Sequence, residues 1–235
     1  MNFTALRIVS DCSGIKFLLM LIVGAKGHAK EILQILEKDY PNEKIYFFDN
    51  IEQEYSLFYD RYLILRNESQ VRTLFEQDNR FVLAVGDPFL RHRLSELFIS
   101  WGGQLTTLCS STASIGTNKV ILCEGLNIMY NVVIYSDTYI GSGTLLNTSC
   151  TIHHDVIIGE FCEISPGARI LGRALVGNFC RIGANSVILP DVTIGDRVVI
   201  GAGAVVNTNI PSDSVAVGVP ARIIKSFNAE DKMVV

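Results

Sequence analysis

The chain is poor in the residues that most often carry chemistry. It has four histidines in 235 residues, and its six cysteines (12, 109, 123, 150, 162 and 180) form no C-x-x-C pair. Cysteines this sparse in a chain this long exclude a disulfide scaffold and point to reduced thiols in a cytoplasmic protein. Charged residues make up only 19% of the sequence, and the net charge of −4 lacks the basic excess of a general nucleic-acid binder. With 49% apolar residues the chain is neither disordered nor a solvated tail. Long apolar runs are also missing. The stretch "KFLLMLIVGAKG" imitates a secretory signal, but its apolar part is about nine residues, well short of a membrane span. A glycine turn and a helix-like segment follow it at once, so a buried strand fits better. The length accommodates two modest domains. Residues 1–16 show no period and are left unassigned.

What is present is a repeat. From Leu122 to Val206 every sixth residue is Leu, Ile or Val, with no slip in phase. The residue two before each of these is small or compact over most of the run, as at Thr144, Cys150, Cys162, Ala168, Ala174, Cys180 and Ser186. Glycine often follows the aliphatic (Gly141, Gly159, Gly177, Gly183, Gly195, Gly201), where permissive backbone angles are expected to make the turn. One large aliphatic and one small residue per six is the pattern of a hexapeptide β-helix, three hexapeptides closing one triangular coil of about eighteen residues. Such a stack needs several coils to be stable. Cys162 and Cys180 fall in neighbouring coils, where the pattern predicts interior thiols rather than a disulfide.

The first half reads differently. "FLLMLIV" is a continuous apolar run suited to a buried parallel strand, "GAKGH" a tight turn, and "AKEILQILEKD" carries Ile32, Leu33, Ile35 and Leu36 at helical spacing. "KIYFFDN" is a second strand ending near Asp49, "RFVLAVGD" a third ending near Gly86 and Asp87, and "FLRHRLSELFISWG" a second amphipathic helix. This is a Rossmann-like α/β half domain over 17–108, and a ligand would sit at the carboxyl ends of its strands. Backbone N–H groups at Gly24–His28 could cradle a phosphate, and Asp49 could accept from a ribose or base. The segment 52–62 is expected to shape the base pocket. Gly24-x-x-Gly27 is not the full dinucleotide fingerprint, and packing alone could also account for such a turn.

Within the repeat, "TSCTIHHDVIIG" places His153, His154 and Asp155 just after the inward Ile152. On residue chemistry alone this can be a general base with its acid, a metal clip, or solvated turn residues. Zinc of the carbonic anhydrase kind needs three converging imidazoles, and two adjacent ones do not easily face a single ion, so no metal is expected.

A small domain opening on "GAKGHAKEI" and followed by hexapeptide repeats ending in "VAVGVPARIIK" resembles one branch of the left-handed β-helix acyltransferases. That branch holds the bacterial nucleotide-4-amino-sugar N-acetyltransferases and the sialic acid O-acetyltransferases. The resemblance covers nearly the whole chain from Phe17, with the left-handed parallel β-helix assigned to 109–235. It implies transfer of acetyl from acetyl-CoA to the amine of a nucleotide-linked amino sugar, for surface glycan synthesis. The runner-up is O-acetylation of sialic acid or another sugar. It also implies a homotrimer with active sites between subunits. "TIHHDVIIG" matches the family motif with His154 as general base and Asp155 as its acidic partner. Gly172, at the same corner one coil along, is implied to receive the acetyl carbonyl through its N–H. Ala184 and Ala202 are implied to line the pantetheine. Where some relatives carry a second histidine near the CoA thiol, this chain has Glu163. Asn147 is a candidate for positioning the acceptor, and Gly24, Lys26, Gly27, His28, Asp49 and Gly86 for holding the nucleotide. No cysteine sits beside His154, so direct attack without a covalent intermediate is expected.

Overall fold

The structure is a computed structural model and describes residues 18–51 and 54–227. The unassigned segment 1–16 lies outside the described residues. The chain divides into two units after Leu108.

In the first unit the apolar run forms β1 (Leu18–Val23), whose residues Leu21 and Ile22 are fully buried. The turn leads into α1 (Gly27–Asp39), which buries Ala29, Ile32, Leu33, Ile35 and Leu36 along one face. There follow β2 (Glu43–Phe48), β3 (Leu57–Phe58), β4 (Tyr62–Leu65), α2 (Glu68–Phe75), β5 (Arg80–Leu83), α3 (Pro88–Ser100) and β6 (Gln104–Leu105). The sheet order is β3-β4-β2-β1-β5-β6, parallel except for the β3–β4 pair. Val23 is in register with both Phe48 and Leu83, so the chain leaves three neighbouring strands at one sheet edge. Gly24, Asp49 and the Ala84–Gly86 segment are therefore neighbours by construction, which is the strand-end geometry that makes α/β pockets.

α3 starts one residue before the sequence pattern indicated. Pro88 occupies its first turn, and the Asp87 side chain caps it by accepting from the Leu90 N–H at 2.8 Å. The fully buried Arg91 donates from Nη1 to the Val85 carbonyl at 2.8 Å and pins the loop that carries Gly86. α2 and the β3–β4 hairpin had no visible signal. β3 is two residues long and α2 buries only Val71, Leu74 and Phe75, too few to show a period.

In the second unit each hexapeptide makes one two-residue strand, and strands eighteen residues apart pair in parallel. Ile134 pairs with Ile152, Ile152 with Ile170, and Ile170 with Ile188. Three such ladders form the faces of a prism. Face one includes Leu145–Leu146, Glu163–Ile164 and Arg181–Ile182, face two Thr151–Ile152 and Arg169–Ile170, and face three Ile157–Ile158 and Leu175–Val176. This is the left-handed parallel β-helix. The second residue of each of these strands points inward and is buried, each such aliphatic contributing about 1.5–3 kcal/mol. Cys150, Cys162 and Cys180 are fully buried free thiols filling the prism. An antiparallel hairpin, Ser214–Gly218 with Ala221–Ser226, closes the stack. Among the described residues no helix is long and apolar enough to cross a membrane.

The glycines that follow the inward aliphatics do not serve the purpose expected of them. The left-handed backbone angles fall three residues after the aliphatic, at Asn131, Asp137, Ser149, Asp155, Phe161, Arg173 and their equivalents, where φ lies near +60°. Gly141, Gly159, Gly177, Gly183, Gly195 and Gly201 are instead needed for room. A Cβ on Gly177 would lie 2.7 Å from the Asp196 backbone nitrogen, and one on Gly183 2.5 Å from the Ile200 carbonyl. They are small because the next coil passes directly over them.

Candidate active site

The corner that follows face two carries the two histidines. Ile152 is buried, His153 is half-buried and His154 turns outward with 55% of its side chain exposed. Asp155 takes the left-handed position (φ +60°), which Asp and Asn tolerate better than most residues. That turn brings its carboxylate back to the preceding ring, and His154 Nδ1 lies 2.7 Å from Asp155 Oδ2. A carboxylate can only accept, so the Nδ1–H donates, and in the neutral tautomer this selects the lone pair is on Nε2. The His153 ring lies against Tyr135 with 5.1 Å between centroids. Burial, then the neighbouring His154, push its pKa down, so it favours the neutral form.

The His154 imidazole lies over Gly172. A Cβ at Gly172 would stand 2.6 Å from His154 Cε1 and 2.7 Å from Nε2. The Gly172 N–H has no hydrogen-bond partner among the described residues. The sequence explains why. At the corner after face three, the amide in this position donates to a side chain of the next coil: Glu160 N–H to Asn178 Oδ1 at 2.9 Å, and Asn178 N–H to Asp196 Oδ1 at 2.7 Å. One coil beyond Gly172 that place is taken by Pro190, which offers no acceptor. The His154 ring and the Gly172 amide thus lie together at one corner, and a base beside an N–H donor is the pair of groups that acyl transfer requires. Gly172→Ala is expected to displace the imidazole. Activity should fall at least tenfold while the thermal midpoint stays within about 2 °C, since the new methyl meets an exposed ring and no backbone. Steady-state rates beside a melting curve check this.

The interior thiols cannot act as nucleophiles. Burial pushes Cys150 up to about 12, and burial also raises Cys162 well above its usual range.

The remaining β-helix candidates do not join His154 within one chain. Asn147, Ala184 and Ala202 lie at the corner after face one. There Asn147 Oδ1 accepts from the Thr148 N–H at 2.8 Å, and the two alanines stack in neighbouring coils. Glu163 lies on face one, its carboxylate 3.1 Å from Arg181 Nε in the next coil. Among the described residues no group of three His, Cys, Asp or Glu side chains is disposed to hold a metal ion.

In the first unit Gly24 adopts φ +117°, donates to the Phe48 carbonyl at 2.9 Å, and would place a Cβ 3.0 Å from the Ala84 carbonyl. Lys26 is the N-cap residue of α1 and makes no side-chain cap. A Cβ on Gly27 would meet nothing within 4 Å. His28 Nδ1 lies 3.1 Å from Glu31 Oε2, which lowers the pKa of that carboxyl, and its buried Nε2 has no partner among the described residues. Asp49 is 8% exposed and accepts from the Ile51 N–H at 2.8 Å. It lines a cavity of about 370 Å³ together with Ala25, Lys30, Tyr55, Tyr59 and Arg66. Gly24, Lys26, Gly27, His28 and Gly86 do not line it. Tyr55 and Tyr59 belong to the segment the sequence marked out, whereas Lys30 and Arg66 were missed. Arg66 donates from Nη1 to the Asp49 carbonyl at 2.5 Å and from Nη2 to the Tyr55 carbonyl, joining two of the residues that line the pocket. No one-dimensional pattern indicates such a side-chain-to-backbone clamp.

Comparison with known proteins agrees with this architecture. The family model described as PglD N-terminal domain matches residues 20–98, and the bacterial transferase hexapeptide model (six repeats) matches 137–172 and 173–208. No curated protein matches by sequence. A variant of perosamine N-acetyltransferase from Caulobacter crescentus, solved with CoA and GDP-perosamine, is 28% identical. It superposes with a TM-score of 0.81 over 88% of this chain and 97% of that one. The acetyltransferase domain of PglB from Neisseria gonorrhoeae FA1090 is 26% identical with a TM-score of 0.80, covering 88% and 99%. WeeI from Acinetobacter baumannii AYE is 25% identical with a TM-score of 0.81, covering 88% and 100%. With a PglD-type domain leading into hexapeptide repeats, and these neighbours matching along nearly their whole length, the chain belongs to the left-handed β-helix sugar acetyltransferases.

Proposed function

We propose that this acetyltransferase moves acetyl from acetyl-CoA to the amine of a nucleotide-linked amino sugar, in the cytoplasm and for surface glycan synthesis. The observation that carries the reading is the His154–Asp155 pair standing over the unpartnered Gly172 amide. The amine nitrogen attacks the thioester carbonyl carbon while His154 Nε2 takes the proton that the nitrogen sheds. The carbonyl oxygen, now negative, receives the Gly172 N–H. When the tetrahedral centre collapses, the carbon–sulfur bond breaks and the proton held by His154 passes to the departing thiolate. Asp155 fixes the ring tautomer and balances the imidazolium charge in between. Such a base contributes about 10²–10⁴-fold.

The solved neighbours with CoA and GDP-perosamine support the choice of both substrates. The pocket around Asp49 would hold the nucleotide, with Tyr55 and Tyr59 offering flat faces to a base and Lys30 a cation to a phosphate. The predicted residues of the β-helix lie on two different corners of one chain, which supports a homotrimer in which the His154 corner of one subunit meets the Ala184–Ala202 corner of another. The test is thiol release from acetyl-CoA with UDP-, dTDP- and GDP-linked amino sugars and with free sialic acid. Turnover with a nucleotide amino sugar, together with a KM raised at least tenfold by Asp49→Ala, is the expected result. Turnover with sialic acid alone would overturn it.

A further inference from the structure

The left-handed turn residues of the corner after face two form a charged column. Asp137, Asp155, Arg173 and Asp191 occupy equivalent places in successive coils, all with φ near +60°. Neighbouring coils are separated by about a strand spacing, 4.7–4.9 Å. Arg173 therefore has one carboxylate in the coil before it and another in the coil after, and the structure shows which one it holds. Its Nε lies 2.6 Å from Asp191 Oδ1 and its Nη2 2.8 Å from Oδ2, a two-bond fork. Asp155 is left to His154, at 2.7 Å.

We infer that Asp191 is a positioning residue for the transfer reaction: by occupying the Arg173 guanidinium it keeps that cation off Asp155, so that Asp155 stays with His154. The inference rests on the proposed role of His154 as base. Without Asp191, the Arg173 fork has one remaining carboxylate within a coil spacing, and Asp155 would then serve arginine instead of imidazole. The other charged or titratable groups around His154 leave this competition undisturbed. Asp137 in the preceding coil is paired with Lys119 at 3.5 Å, Tyr135 lies tilted against His153, and His153 favours the neutral form. The hydrogen bond from Arg173 lowers the Asp191 carboxyl pKa, and the same bond raises that of the guanidinium, so the pair stays charged through the neutral range. Asp155 also adds to the rise at Arg173, which agrees with Arg173 feeling both acids.

The experiment uses the full chain and three variants, Asp191→Ala, Arg173→Ala and the double substitution. Two readouts are taken: the pH profile of kcat/KM, and the NMR titration of the His154 ring, assigned by its loss in His154→Ala. In Asp191→Ala, kcat/KM is expected to drop about tenfold, with the acid limb and the ring titration moving to lower pH by roughly half a unit or more, because the imidazolium loses its carboxylate and gains a nearby cation. In Arg173→Ala both should move to higher pH. The double variant should behave as Arg173→Ala alone, since Asp191 has nothing left to restrain. Shifts in the same direction for both single variants, or no shift in Asp191→Ala, would overturn the inference. A pair that acted on His154 only through its two charges would also give opposite shifts, but they would cancel in the double variant, whereas the competition for Asp155 leaves the double variant at the Arg173→Ala position. The NMR arm needs no turnover. If the shifts appear but His154→Ala keeps its activity, the positioning contact stands and the base assignment falls.

Discussion

Replacing His154 with alanine is expected to lower kcat by about 10²–10⁴-fold with little change in melting temperature. The size follows from what is lost. Without the imidazole the amine must shed its proton to bulk water as it attacks, since His154 is the side chain that stands over Gly172. His153 cannot substitute, since it is half-buried against Tyr135. The thermal midpoint should hold because the His154 side chain is 55% exposed and its backbone turn does not depend on the ring. Asp155→Asn is the graded companion. It keeps an acceptor for Nδ1–H but removes the charge that balances the imidazolium, and it should cost about tenfold, the low end of the value of a hydrogen bond to a charged group. Stopped-assay rates with acetyl-CoA and a nucleotide amino sugar, beside melting curves, check both. If His154→Ala keeps more than a tenth of the rate, another group is removing the proton.

The largest effect on stability is expected at Gly177. A Cβ there would stand 2.5 Å from Asp196 Oδ1, 2.7 Å from the Asp196 nitrogen and 2.7 Å from the Gly195 carbonyl carbon. Two of the three are backbone atoms of the next coil, held at their spacing by Gly177 N–H donating to the Ile194 carbonyl at 2.9 Å. A side chain can enter only by prising two coils apart. Gly177→Val should therefore destabilise the β-helix by about 3 kcal/mol or more, at or beyond the usual range for overpacking. Gly203→Ala provides the contrast. Gly203 has φ +68° and open space where its Cβ would go, so only the left-handed backbone is penalised, by about 1–2 kcal/mol. Denaturant unfolding of the two variants separates glycine kept for room from glycine kept for backbone angle. Equal losses would show that the close stacking at Gly177 yields easily.

These two residues also show where reading the sequence stopped. The phase from Leu122 to Val206 determined the solenoid, its inward residues and the coil membership of every side chain, because in a quasi-one-dimensional stack position along the chain is position in space. His154 and Gly172 could be paired from their spacing alone for the same reason, and the α/β half was legible from three strands, one tight turn and two helices. The glycines after the aliphatics were legible as a pattern but not in purpose. The pattern cannot tell whether a glycine is there for its own torsion angles or for the atoms of a coil eighteen residues away.

Only the tertiary structure decided the rest. It showed that the Gly172 amide finds no partner among the described residues, Pro190 offering it no acceptor, that Arg173 has chosen Asp191 over Asp155, and that Arg66 holds the Asp49 and Tyr55 carbonyls. Periodicity records which residues face inward, since burial is repaid at every coil. Which of two equivalent neighbours an outward polar group bonds depends on rotamers and on a few tenths of an ångström, and that choice leaves no period in the sequence.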